Sequence, residues 1–116
     1  MNIAICDDNG ILLDMMVSVC QKYVRPEDCM ENYTSSKELK RYLLNNRPEI
    51  DLFILDINMS EINSIELKSL ISQICNQTNI VFVAGNDFDM REAFGKKVIA
   101  FLEKIDFENQ IGAMVR

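Results

Sequence analysis

The apolar positions change period repeatedly along the chain. Ile3-Ala4-Ile5-Cys6 is a short continuous apolar run, which predicts a strand buried on both faces. Asn9 then offers an N-cap, and Leu12, Met15/Met16, Val19 and Tyr23 recur at helical spacing until Pro26 stops the helix. Cys29 to Tyr33 mixes polar and apolar residues, as an edge strand does. Ser35-Ser36-Lys37-Glu38 has the S-x-x-E form of a capping box, followed by Leu39, Tyr42 and Leu43 at helical spacing and by a break at Asn45-Asn46-Arg47-Pro48. Ile50 to Leu55 is a second apolar run, interrupted only by Asp51, that ends at Asp56, with a loop from Ile57 to Asn63 behind it. Ile65, Leu67, Leu70, Ile71 and Ile74 mark a third helix.

Ile80-Val81-Phe82-Val83 is the most strand-like segment, turned by Gly85-Asn86-Asp87. A short, weakly periodic helix is expected from Phe88 to Gly95, then a fifth strand over Val98 to Phe101. Asp106 is placed to cap a last helix carrying Phe107, Ile111 and Met114. Strand and helix thus alternate five times, the order of an α/β domain with a doubly wound parallel sheet and helices on both faces. The last helix runs uncapped to Arg116, so a domain boundary is expected there, with any output domain beyond it.

Composition narrows the function. The chain has 116 residues, 48% of them hydrophobic, which suits one compact domain over 1–116. Twelve Lys+Arg against eighteen Asp+Glu leave a net charge of −6, and an acidic domain repels phosphate backbones, so direct nucleic-acid binding is not expected. No apolar run has the roughly 20 residues of a membrane span, and the first residues lack the pattern of a signal peptide, so a cytoplasmic location is expected. Histidine is absent, which removes Ser-His and Cys-His catalytic pairs. Cys6, Cys20, Cys29 and Cys75 show no CxxC spacing and read as reduced, mostly buried thiols.

In a doubly wound sheet, sites form past the carboxyl ends of the strands. Asp7-Asp8 follow the first strand, Asp56 the third, Ala84-Gly85 the fourth, and Lys104 lies beyond the fifth. Three clustered carboxylates repel one another unless a cation sits among them. A hard divalent cation held by one or two carboxylates, a carbonyl and waters describes Mg²⁺. A carboxylate beside such an ion can accept a phosphoryl group. A lone Asp after a strand is ordinarily a turn former or N-cap; the joint pattern in this chain order is what carries weight.

That pattern resembles the receiver domain of two-component response regulators, over essentially the whole chain. Asp7-Asp8 match the family's acidic pair, Leu52-Phe53-Ile54-Leu55-Asp56-Ile57-Asn58-Met59 its phosphoacceptor segment, Lys104 its lysine and Phe101 its aromatic switch position. The resemblance implies a flavodoxin-like receiver fold with strand order 2-1-3-4-5. It implies Asp56 as phosphoacceptor, with Mg²⁺ held by Asp8, Asp56 and the backbone carbonyl of Asn58, and by Asp7 through a water. Lys104 and the backbone N–H groups of Asn58 and Gly85 would bind phosphoryl oxygens. Partners implied are a sensor histidine kinase, a C-terminal DNA-binding domain, and a second copy through the face built by the 88–95 helix, the fifth strand and the last helix. Ile3-Ala4-Ile5-Cys6-Asp7-Asp8 and Ala93-Phe94 are most similar to receivers that precede a LytTR-type DNA-binding domain.

The chain departs from the family pattern at four places. Ser60 stands for a usual Pro, Ser64 for Gly, Ala84 for Thr or Ser, and Ile105 for Pro. Without proline, a cis bond costs about 2.5–4 kcal/mol, so the Lys104–Ile105 bond is expected to be trans. The metal and phosphoacceptor carboxylates are kept, as is Phe101 at the switch position, whereas Ala84 marks an alteration in the parts that relay phosphorylation to the output face. Two readings follow: a phosphoacceptor that is not itself an enzyme beyond weak autophosphatase activity, or an atypical receiver that acts by protein binding without phosphorylation. An aspartyl phosphatase would need a second Asp two residues after the nucleophile, where this chain has Asn58.

Overall fold

The alternation of strands and helices is realised in a computed structural model that describes residues 1–75, 77–84, 98–103 and 107–115. The elements are β1 (Asn2–Cys6), α1 (Gly10–Gln21), β2 (Cys29–Tyr33), α2 (Ser36–Asn46), β3 (Leu52–Asp56), α3 (Ser64–Ile74), β4 (Asn79–Ala84), β5 (Val98–Glu103) and α4 (Phe107–Val115). The strands form one sheet in the order β2-β1-β3-β4-β5, and every pairing is parallel. The fold is therefore α/β and doubly wound, with the flavodoxin-like strand order 2-1-3-4-5 that the resemblance implies. The expected helix over 88–95, together with Gly85, Lys104, Ile105, Asp106 and the Lys104–Ile105 bond, lies outside the described residues.

Alternation within the strands explains why both sheet faces are covered. Ile3, Ile5, Leu52, Ile54, Val81 and Val83 face one side, where α1 contributes Leu13, Met16, Val19 and Cys20 and α4 contributes Phe107, Ile111 and Val115. Ala4, Cys6, Phe53, Leu55, Ile80, Phe82 and Ala84 face the other, against Leu39 and Leu43 of α2 and Leu67 and Ile71 of α3. Residues buried on two faces give the unbroken apolar runs seen in β1, β3 and β4. β2 has neighbours on one side only and alternates loosely between exposed and half-buried residues, as its mixed composition indicates.

The caps follow sequence chemistry. Asn9 accepts from the N–H groups of Ile11 and Leu12, Ser35 from Glu38, and Asn63 from Glu66. α1 ends earlier than the spacing suggests, at Gln21 rather than beyond Tyr23. The N–H groups of Lys22 and Tyr23 bond to Val19 and Cys20, three residues back, so the last turn tightens before Pro26 is reached. α2 closes on Arg47 in a left-handed conformation at φ 42°. Among the described residues, no helix is long and apolar enough to cross a membrane.

Candidate phosphoacceptor and metal site

The strand order reverses direction between β1 and β3, because β2 lies on one side of β1 and β3 on the other. A crevice is expected there, past the carboxyl ends. Cys6 of β1 pairs with Leu55 of β3, so Asp7 and Asp56 follow side by side from adjacent strands. Asp7, Asp8 and Asp56 bring one carboxylate oxygen each to within 4.8 Å of the others. Unit charges about 4 Å apart repel by roughly 4 kcal/mol at an effective dielectric of 20, so the cluster favours a cation.

The three carboxylates are held differently. Asp7 is fully buried; its Oδ1 accepts from the N–H of Asn9 at 2.9 Å, and its own N–H donates to the carbonyl of Tyr33 at 3.1 Å. This ties the end of β1 to the end of β2 and to the start of α1. Asp56 is 2% exposed at the last position of β3, where its Oδ1 accepts from the N–H of Asn58 at 3.4 Å. Asp8 is exposed, and its Oδ2 accepts from both the N–H and the hydroxyl of Ser60, at 3.0 and 2.9 Å.

The loop from Ile57 to Asn63 is pinned along its length. Ile57 N–H donates to the carbonyl of Val83 at 2.9 Å, and the buried side chain of Met59 meets Cys6, Sγ to Sδ, at 3.4 Å. Glu61 accepts from the hydroxyl of Ser35 at 2.8 Å, and the hydroxyl of Ser36 accepts from Ile62 N–H at 2.9 Å. Ser64, fully buried, donates its hydroxyl to the carbonyl of Asp56. The Cys6 thiol is pushed up to about 12, first by burial and then by the charges of Asp7, Asp8 and Asp56. It therefore stays neutral and adds no thiolate to the site, whose donor set is oxygen alone. Hard carboxylate oxygens suit Mg²⁺.

The sequence-derived residues thus divide. Asp7, Asp8 and Asp56 come together, and Asn58 lies beside them with its N–H toward Asp56. Ala84 ends β4 and is 3% exposed. Phe101 pairs with Phe82 through the β4–β5 ladder. Lys104 and Gly85 lie outside the described residues. The contact of Ser60 with Asp8 was not readable from the sequence: Ser60 stands out there as a departure, but nothing local links it to a partner 52 positions away.

A family model described as response regulator receiver domain matches residues 3–116. No curated protein matches the chain. Among solved structures, the response regulatory domain of protein mrkE from Klebsiella pneumoniae superposes with a TM-score of 0.81 at 22% identity, over 99% of this chain and 92% of that one. A response regulator receiver domain protein from Clostridium thermocellum gives 0.76 at 18% identity, over 98% and 93%. The RcsB response regulator of Salmonella typhimurium gives 0.80 at 16% identity, over 97% of this chain and 58% of that one. At these identities the likeness is one of fold.

Proposed function

The chain belongs to the response regulator receiver domain family, and on that premise we propose that Asp56 accepts a phosphoryl group from the phosphohistidine of a sensor kinase. The observation that carries this reading is the convergence of Asp7, Asp8 and Asp56 within 4.8 Å at the reversal of strand order. A carboxylate oxygen of Asp56 attacks phosphorus in line; the new P–O bond forms as the P–N bond to the donor imidazole breaks. Asp8, Asp56 and the Asn58 carbonyl are the ligands proposed for Mg²⁺, with Asp7 acting through a water. The ion would neutralise charge on the transferring oxygens. Lys104 and the N–H groups of Asn58 and Gly85 would take the remaining charge.

The residues around Asp56 prepare it for this step. Burial of Asp7 and Asp56 restricts their side chains, and the pinned 57–63 loop holds Asn58 next to the nucleophile. The output is assigned to the face of β5, α4 and the segment between β4 and β5, which would dock a second copy or an output domain such as a DNA-binding module.

A second reading, a receiver that acts by protein binding without phosphorylation, is supported by Ala84, which supplies no hydroxyl at the end of β4. Incubation with phosphoramidate and Mg²⁺ separates the two. The phosphoacceptor reading expects a mass gain of one phosphoryl group that maps to Asp56. Protein of unchanged mass would support the second.

A further inference from the structure

Of the three carboxylates, Asp8 alone has no burial to hold it. Asp7 and Asp56 are enclosed at 0% and 2% exposure, so the protein walls fix their side chains against mutual repulsion. Asp8 is exposed, and both its rotamer freedom and the charges of its two neighbours favour swinging it outward into water. What opposes this is Ser60, which spends two donors on one oxygen: N–H at 3.0 Å and Oγ at 2.9 Å, both on Oδ2. Among the described residues no donor reaches Oδ1. The N–H donor exists only because this position is not the proline usual in the resembling family. The bond also crosses the crevice, joining the loop after β1 to the loop after β3.

We propose that Ser60 is a positioning residue of the metal site, holding Asp8 inward by Oδ2 so that Oδ1 is left for the cation. Hydrogen bonds to the far oxygen of a ligating carboxylate fix its orientation, and losing such partners typically weakens metal binding by 10–100-fold. The pair keeps the triad assembled before the ion arrives, so binding need not first gather an exposed, repelled carboxylate. This inference rests on the Mg²⁺ reading of the site given above.

The test is a titration of Mg²⁺ into wild type, Ser60→Ala and Ser60→Thr, following the amide signals of residues 7–8 and 56–58. Ser60 is exposed, so neither change disturbs the core, and equal urea midpoints would verify that the fold is kept. Ser60→Ala should bind about tenfold more weakly, whereas Ser60→Thr, which keeps both donors, should match wild type. Wild-type binding equalled or exceeded by Ser60→Ala overturns the proposal alone. A Thr variant as weak as the Ala variant also overturns it, because the loss would then come from loop packing. A wild type that binds no Mg²⁺ defeats the metal reading of the site, and this proposal with it.

Discussion

The hydroxyl of Ser64, in the first turn of α3, donates to the main-chain carbonyl of Asp56, and both residues are buried. A side chain at the start of one helix thereby fixes the backbone of the proposed nucleophile across the intervening loop. A net hydrogen bond of this kind contributes about 1 kcal/mol. Ser64→Ala should therefore lower stability by about that amount in urea unfolding, with an unchanged m-value. A midpoint equal to wild type would show that the contact is not formed in solution.

Much of this arrangement was legible in the sequence because its signals are local. Unbroken apolar runs marked the central strands, Asn9 and Ser35 marked helix starts, and Asp7-Asp8 and Asp56 fell at strand ends, where parallel sheets place their sites. What was not legible is long-range. Ser35 and Ser36 each spend one oxygen on the 57–63 loop, 26 positions away, yet in sequence they read only as the opening of a helix. Ser60 and Ser64 likewise read as missing Pro and Gly, and only the folded backbone shows which oxygens they serve. Strand ends were drawn short: β4 extends to Ala84 and β5 to Glu103, because the parallel ladder continues through the pairs Val83–Leu102 and Ala84–Glu103.

Ala84 should weaken the response to phosphorylation. A hydroxyl there would donate to a phosphoryl oxygen, a charge-assisted bond of roughly 1.5–3 kcal/mol that exists only in the phosphorylated state. Losing 1.4 kcal/mol of difference between two states is about a tenfold smaller shift in their equilibrium. With beryllofluoride bound, Ala84→Thr and the smaller Ala84→Ser should show larger amide shifts around Phe101 than wild type. Because Ala84 is buried, the Thr variant should also lose up to about 1–3 kcal/mol from overpacking, and the Ser variant less. Equal shifts in all three proteins would contradict the account.

The four thiols should behave unequally. Cys29 is exposed, whereas Cys6, Cys20 and Cys75 are buried. Iodoacetamide near neutral pH should label Cys29 in the native protein and the other three only after unfolding, as peptide mass mapping would show.

Burial pushes the Cys20 thiol from 9.0 up to about 12. The unfolded chain ionises first as pH rises, so the stability tied to this proton is complete below about pH 9 and lost as pH climbs toward about 12. Cys6 is shifted in the same direction, also chiefly by burial. The urea midpoint should fall across that window. In Cys20→Ala it should start lower and fall less steeply; an equal slope would contradict the assignment.

The central claim is that the Asp7-Asp8-Asp56 cluster serves phosphoryl acceptance at Asp56. The most direct measurement is the intact mass of wild type and Asp56→Asn after incubation with a small acyl phosphate and Mg²⁺. Asn is nearly isosteric and removes one charge from a repelling triad, so the variant should fold at least as stably. Wild type is expected to gain one phosphoryl group and Asp56→Asn none. Equal labelling of both proteins, or a wild type that stays unlabelled, would contradict the claim.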